Sequence, residues 1–361
     1  MEKSNWSCAA IDHGVTVFPT GKIGPCCKIS ADYLKPASEL SNPNRFADLK
    51  TAEPPEACHA CVSDEYRHMP SYRSMFNSLK TSAPGLQFVD IRNTNLCNLK
   101  CRYCGPHFSS SWARELGRTV PIVSAPIDQQ QLITNSLHWM YFTGGEPLIN
   151  GEHWDLLEHL VATDRAPNIT LVYNSNLTVL QYKDRNIADI WAHFKRVEIK
   201  CSIDAVGTDF EYIRSGADWD QVSQNIDTLL QLPVDLILTP VISLLNIWRI
   251  GLLCEYAQRK KIKIAPIVLV GPDYLALDVI PDQLKAPALA AVEPLKKHID
   301  SMTYKHICGL IENNQNQCLF KHAISHILLL DSRRGEKLFD LLPFGAVAQQ
   351  EILENHEYES K

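Results

Sequence analysis

Three cysteines stand close together as Cys97-x3-Cys101-x2-Cys104, just past a β-type run, Leu86–Arg92. Thiolates are soft ligands, and at this spacing they select zinc or an iron–sulfur cluster. Their number is informative. Structural zinc closes its tetrahedron with a fourth protein ligand, for which His107 is the nearest residue. A four-iron cluster on three cysteines leaves one iron open to a small molecule. A second group, Cys8, Cys26, Cys27, Cys58 and Cys61, lies upstream, while Cys201, Cys254, Cys308 and Cys318 are isolated. These are twelve cysteines behind an N-terminus, MEKSNWSCAA, with no charged-then-apolar leader. That combination points to metal or redox chemistry in the cytoplasm rather than to disulfides.

The elements that must position these residues follow from the apolar pattern. From about Leu86 onward β-type runs alternate with amphipathic ones, the mark of a parallel sheet covered by helices. The expected strands are Leu86–Arg92, His138–Thr143, Ile169–Asn176, Arg196–Asp204, Val234–Ser243 and Ile262–Val270. Six βα units are fewer than the eight of a closed barrel, so the α/β fold class expected is an open, partial (β/α)6 TIM-like barrel. In Val197–Asp204 one strand face carries Glu198, Lys200, Ser202 and Asp204. A parallel strand buried on both faces would be apolar throughout, so this face reads as lining a polar lumen, or else as the wet face of an edge strand. Asn174 and Asn176 point inward from their own strand by the same parity.

Residues 1–80 have too little apolar patterning for a core of their own, so a metal is expected to stabilise them. They contain one hairpin, Val15–Phe18, turning at Pro19-Thr20-Gly21. The barrel is assigned to 81–275, and a helical extension to 276–361, with helices at Pro281–Lys297 and Phe320–Leu342 and a polar tail at Glu351–Lys361. The chain has 361 residues, 45% hydrophobic and 21% charged, so extensive disorder is excluded. Its net charge is −6 and its Lys and Arg residues are scattered, so nucleic acid is not an expected partner. No apolar stretch approaches roughly 18 residues, so no membrane span is expected.

Four motifs fall in order along the array. Cys97-Asn98-Leu99-Lys100-Cys101-Arg102-Tyr103-Cys104 has the form CxxxCxxC with an aromatic before the last cysteine. Thr143-Gly144-Gly145-Glu146-Pro147 ends the second strand, Lys200-Cys201-Ser202-Ile203-Asp204 the fourth, and Tyr212-Ile213-Arg214-Ser215-Gly216 follows. On these residues the chain resembles the radical S-adenosylmethionine (SAM) superfamily, over about residues 84–270. The resemblance implies a [4Fe-4S] cluster on Cys97, Cys101 and Cys104, whose open iron is chelated by SAM. It also implies reductive cleavage of SAM to a 5′-deoxyadenosyl radical that takes hydrogen from an unactivated C–H bond.

SAM contacts can be assigned residue by residue. Gly144 and Gly145 let backbone approach the methionine amino group. Ser202 and Asp204 suit ribose hydroxyls, and Asn174 and Asn176 reach ribose or methionine. Arg214 pairs with the methionine carboxylate. Tyr103 packs near adenine, where Val241 lines the pocket. Glu146 belongs to the same shell as a structural hydrogen-bonder. The alternatives are helix capping for the Ser, Asp and Asn residues and a surface ion pair for Arg214. Asp273 and Tyr274, past the last strand, are expected to touch substrate. Cys308 or Cys318 is a hydrogen donor or a cluster ligand in a further reading. Leu330–Gly335 reads as a charged helix end with no chemical assignment.

The upstream cysteines, as Cys8-x12-Gly21-x4-Cys26, resemble the opening of the SPASM and twitch domains, which bind auxiliary iron–sulfur clusters. Here the module precedes the barrel, whereas in most relatives it follows. The resemblance implies one auxiliary [4Fe-4S] cluster on Cys8, Cys26, Cys58 and Cys61, with Cys27 as an alternate to Cys26. A four-thiolate zinc ribbon is the competing assignment. The function expected is radical SAM chemistry on a peptide or small polar metabolite: oxidation, cross-linking, decarboxylation or epimerisation. An electron donor such as flavodoxin or ferredoxin would serve it. The alternatives are a zinc-containing binding module and an iron–sulfur electron carrier that does not use SAM.

Overall fold

The computed structural model describes residues 6–67, 70–118 and 129–337. The expected hairpin opens it. Helix α1 (Ala9–His13) leads into β1 (Gly14–Val17), and β2 (Lys22–Gly24) returns antiparallel, with β3 (Lys35–Pro36) beside it. Gly21 adopts φ +74°, which a side chain would resist, and its N–H donates to Phe18 O at 3.0 Å. Two helices follow, α2 (His59–Tyr66) and α3 (Tyr72–Leu79), the second opened by a reciprocal Ser71–Ser74 capping box.

The βα array then runs β4 (Phe88–Ile91), α4 (Ser110–Glu115), β5 (Trp139–Phe142), α5 (Gly151–Ala162) and β6 (Thr170–Ser175). After a small ribbon, β7 (Gln181–Tyr182) and β8 (Arg185–Asn186), come α6 (Ile187–Trp191), β9 (Arg196–Cys201), α7 (Thr208–Ile213) and α8 (Trp219–Leu229). The last two expected strands are each split. Pro240 separates β10 (Asp235–Leu238) from β11 (Val241–Ile242), and after α9 (Ile250–Lys260), Pro266 separates β12 (Lys263–Ile264) from β13 (Ile267–Val268). Proline has no N–H to give the ladder, so β11 and β13 pair with each other in a parallel sheet of their own. Helices α10 (Asp282–Val292), α11 (Ser301–Asn313) and α12 (Phe320–Arg334) close the described chain. The tail Glu351–Lys361 and the last residues of the expected helix 320–342 lie outside the described residues.

The main sheet has the order β3-β2-β1-β4-β5-β6-β9-β10-β12. Among the parallel strands, β1-β4-β5-β6-β9-β10-β12, the order never reverses, so they wind in one direction, while the antiparallel β2 and β3 extend the sheet beyond β1; its open edges are β3 and β12. Strand β9 lies between β6 and β10, so its polar face is not that of an edge strand. Its partners in register carry much of the polarity onward: Thr16, Asp90, Tyr141, Val172 and Glu198 line up across five strands, with Val172 the apolar member, and Asn174 pairs with Lys200. The opposite face carries Val89, Met140, Leu171 and Ile199, all fully buried.

The N-terminal residues do not stand apart from this core. Strand β1 pairs in parallel with β4, so it adds a seventh parallel strand to the six expected. Val15, Val17, Ile23 and Phe46 belong to the same apolar core as the barrel strands. Helix α3 crosses to the other face, placing Phe76 at 5.2 Å from Phe88 and 5.9 Å from Trp139. A metal is therefore not the only source of order here. Among the described residues no helix is long and apolar enough to cross a membrane.

One buried titratable group in this core has a measurable consequence. His153 of α5 is 4% exposed, its Nε2 lies 2.9 Å from Tyr173 Oη, and its Nδ1 has no partner among the described residues. Burial, with the Arg185 charge acting in the same direction, holds its pKa down to about 3. The unfolded chain therefore binds this proton first as pH falls. The contribution of neutral His153 is complete above the ordinary histidine range and is lost as pH drops toward the folded value, by about 1.4 kcal/mol per pH unit. Urea unfolding at pH 7, 6 and 5 is expected to show this slope in the native protein, and His153→Gln is expected to flatten it.

Candidate active site

The three-cysteine loop is built by backbone pairing with two neighbouring segments. On one side Gly145 N–H donates to Thr94 O at 3.0 Å and Glu146 N–H to Leu96 O at 2.7 Å. On the other, Lys100 N–H donates to Ser215 O and Arg102 N–H to Ile213 O, both at 2.8 Å. Trp112 Nε1 reaches back to Cys101 O at 2.8 Å. The two glycines expected to approach a ligand have a packing reason as well. A Cβ on Gly144, at φ +112°, would lie 2.8 Å from Thr94 O, and one on Gly145 would lie 2.0 Å from Leu96 O.

A cavity of about 230 Å³ opens at the carboxyl ends of the strands, where parallel αβ sheets bind their ligands. It brings together Cys97, Cys101, Cys104, Tyr103, Gly144, Gly145, Glu146, Asn174, Asn176, Ser202, Arg214 and Val241. Sequence reasoning missed Leu99, Phe108, Thr143, Thr239 and Ile267, which also line it. Thr143 and Thr239 directly follow strands β5 and β10, so their place at strand ends was the available signal. His107 is exposed and does not line the cavity.

Asp204 departs from its expected role. It is fully buried behind the cavity wall, and its carboxylate is already engaged. Oδ2 accepts from Tyr103 Oη at 2.6 Å and lies 2.8 Å from Arg214 Nε, and Oδ1 accepts from Val241 N–H at 2.8 Å. Asp204 therefore positions three lining residues instead of meeting ribose itself. Arg214, only 6% exposed, places Nη1 at 3.8 Å from Cys101 Sγ. Burial pushes the Cys101 thiol up to about 12, and the Arg214 charge pulls it the other way. Burial alone dominates at Cys97, raised to about 11.

Glu146 is held by Leu148 N–H at 3.1 Å, Ser175 Oγ at 2.9 Å and Asn176 N–H at 2.7 Å. Burial raises it to about 7 against those donors, and both carboxylate oxygens are taken up by the neighbouring backbone and Ser175. Asn176 is likewise tied, donating Nδ2 to Asn98 Oδ1 at 3.1 Å and accepting Thr178 N–H at 3.0 Å in an Asx turn. Asn174 is different: its Oδ1 is buried in the cavity wall without a partner among the described residues. Three thiols, a buried guanidinium beside one of them and an unpaired acceptor across the cavity fit a cluster with a small polar ligand bearing hydroxyl or ammonium donors.

The upstream thiols meet in a second place. Cys8, Cys26, Cys58 and Cys61 line one enclosure with Trp6, Tyr72, Arg73 and Phe76. Cys8 and Cys61 lie close enough that their thiolates would push up both Cys26 and Cys58, and burial is the main force pushing Cys58 up to about 11. Cys27 does not line the enclosure and lies near Asp90, Arg92 and the hydroxyl side of Tyr72. The two adjacent cysteines thus separate, with Cys26 in the enclosure. Among the described residues no three His, Cys, Asp or Glu side chains converge on a position for a single metal ion.

The remaining candidates lie elsewhere. Asp273 Oδ1 accepts the N–H of Tyr274, whose ring meets His322 edge-on at 4.7 Å and His326 at a tilt at 4.9 Å, both on α12. Neither lines the cavity, because the loop folds onto α12 and not across the mouth. Cys308 lies on α11 beside Tyr304, and Cys318 is exposed. Neither lines the cavity or the enclosure.

Residues 91–256 match the family model of the radical SAM superfamily. The chain is 28% identical over 156 residues to GTP 3′,8-cyclase of Syntrophomonas wolfei, covering 41% of this chain and 43% of that protein. It is 25% identical over 122 residues to 7-carboxy-7-deazaguanine synthase of Thermoplasma acidophilum, covering 32% and 53%. The chain thus spans about half the length of these relatives. Among solved structures, anSMEcpe with bound AdoMet superposes with a TM-score of 0.41 at 16% identity, over 57% of this chain and 58% of that one. Over residues 91–256 the chain carries an enzyme domain of the radical SAM superfamily.

Proposed function

We propose that this protein binds a [4Fe-4S] cluster on Cys97, Cys101 and Cys104, binds SAM beside it, and acts on a C–H bond of a small polar metabolite or peptide. One observation carries the reading: three thiols face a cavity of mixed polar and apolar lining in which, among the described residues, no fourth cysteine or histidine takes part, His107 being exposed outside it. When bound and reduced by a donor such as flavodoxin or ferredoxin, the cluster and SAM would supply a 5′-deoxyadenosyl radical. The chain's own part is to bind and orient. Arg214, held by Asp204, offers a charge for the SAM carboxylate. Asn174 Oδ1 and Ser202 offer polar contacts, and Val241 and Tyr103 an apolar wall.

The lumen next to this cavity favours a polar substrate. Arg92 Nη2 pairs with Asp90 at 2.6 Å, and Lys200 Nζ sits 5.2 Å over the Tyr141 ring. The first relative's name specifies GTP, a small polar metabolite, which supports that arm. Cys8, Cys26, Cys58 and Cys61 would hold a second cluster, fully ligated by protein, that could accept or pass an electron.

Anaerobic reconstitution tests the reading. About eight iron atoms per chain and no zinc are expected, with 5′-deoxyadenosine released on adding dithionite and SAM. Absence of that product from protein with intact clusters would overturn it. Cys26→Ser is expected to halve the iron content to about four atoms, whereas Cys27→Ser is expected to keep all of it. Equal losses would remove the distinction between these neighbours.

A further inference from the structure

The charged helix end without a chemical assignment, Leu330–Gly335, docks on the two segments that bring Cys101 and Arg214 together. Arg102 lies between two of the cluster cysteines, yet its side chain turns away from the cavity and is only 1% exposed. Its Nε donates to Tyr212 O at 2.9 Å, its guanidinium stacks 3.6 Å over the Tyr212 ring, and its Nη2 donates to Asp331 Oδ1 at 2.6 Å and to Glu336. The same two carboxylates hold the neighbouring segment. Tyr212 Oη donates to Asp331 Oδ1 at 2.9 Å, and Ser215 Oγ to Glu336 Oε1 at 2.8 Å.

The helix end is shaped for this. Gly335 adopts φ +66° and turns the chain back, with Glu336 N–H on Asp331 O at 3.0 Å, so both carboxylates face one way. A second contact lies one turn along. Arg334, its side chain 3% exposed, pairs with Glu115 at 3.1 Å and lies 4.6 Å over Trp112, whose Nε1 holds Cys101 O.

We infer that α12 is part of the cofactor machinery: Asp331 and Glu336 clamp residues 99–103 to residues 212–216 and so fix the Arg214 guanidinium against Cys101. These are positioning residues, for none of them lines the cavity. The inference deepens the proposed function and rests on it, because hydrogen bonds to cluster sulfurs and a preset carboxylate partner matter only if a cluster and SAM are bound. The clamp itself exists without them.

The test uses the full-length protein and Asp331→Asn, which keeps the shape and removes the charge. Hydrogen exchange on the metal-free proteins reads the clamp, and SAM affinity and the electron paramagnetic resonance spectrum of the reconstituted, reduced cluster read its effect. Exchange in 99–103 and 212–216 is expected to rise about tenfold, and the Kd for SAM to rise by a similar factor. The spectral change on adding SAM is expected to shrink. Unchanged exchange overturns the clamp. Faster exchange with native SAM affinity and spectrum overturns the positioning role, leaving a structural contact. Should Asp331→Asn fail to fold, Glu336→Gln at the helix end is expected to give the same signs at smaller size, and the same outcomes overturn it. A native protein that takes up no cluster defeats the proposed function, while the exchange result still decides the clamp.

Discussion

Cys101→Ala protein is expected to release no 5′-deoxyadenosine above background under dithionite and SAM, whatever substrate is present. Cys101 is the most deeply buried of the three cavity thiols, and it alone lies against the Arg214 guanidinium. Its backbone carbonyl is also held by Trp112, so the loop should keep its course when only the sulfur is removed. Two thiols then remain where three are needed, and Arg214 loses the sulfur it faces. Iron content, measured anaerobically, is expected to fall to that of the second thiol set alone. Cys58→Ala is the contrasting variant, with SAM cleavage partly retained and substrate turnover blocked. Full product release by Cys101→Ala would remove the loop from the catalytic site.

Gly145→Ala is expected to be as damaging, for a steric reason. The added Cβ would lie 2.0 Å from Leu96 O and 2.5 Å from Leu96 C. Both are backbone atoms of the cysteine loop, so relief requires the two loops to separate, breaking the bonds from Gly145 N–H to Thr94 O and from Glu146 N–H to Leu96 O. A loss of more than about 3 kcal/mol is expected, beyond ordinary overpacking, together with loss of SAM binding. Gly105→Ala is the control, since among the described residues nothing lies within 4 Å of its added Cβ, and its stability is expected to stay within about 0.5 kcal/mol. Urea unfolding of the metal-free proteins measures both. A Gly145→Ala protein as stable as Gly105→Ala would mean the two loops are not in contact.

Much of this site was legible in the residues because its chemistry is local in sequence. CxxxCxxC fixes three thiols within one loop, Gly-Gly fixes a close backbone approach, and strand parity puts Asn174 and Ser202 on the inner face. Parity could not tell which inward residue meets a ligand. Asp204 has the right face and the right chemistry, but Tyr103, Arg214 and Val241 saturate it, and such partners are separated from it by up to about a hundred residues of chain. Helix α2 was missed because its apolar residues are few, and α3 was missed although Tyr72, Met75, Phe76 and Leu79 recur at i, i+3, i+4 and i+7. Helix α11 was missed although Asp300 caps it, accepting from Met302 and Thr303 N–H. The long strands read at 234–243 and 262–270 ignored Pro240 and Pro266, whose missing donors were written in the sequence.

Residue identity and spacing by themselves determined the kinds of ligand this protein offers: soft thiolates in two groups, a glycine-rich turn, and polar side chains on one face of a central strand. Those are properties of neighbours along the chain, set by side-chain chemistry and a two-residue repeat. Only the tertiary structure decided which of Cys26 and Cys27 joins the upstream set, that β1 extends the sheet, and that α12 reaches the cysteine loop through Arg102. Each of these depends on contacts between distant segments, where burial makes every polar group find a partner and the choice of partner is set by which surfaces meet.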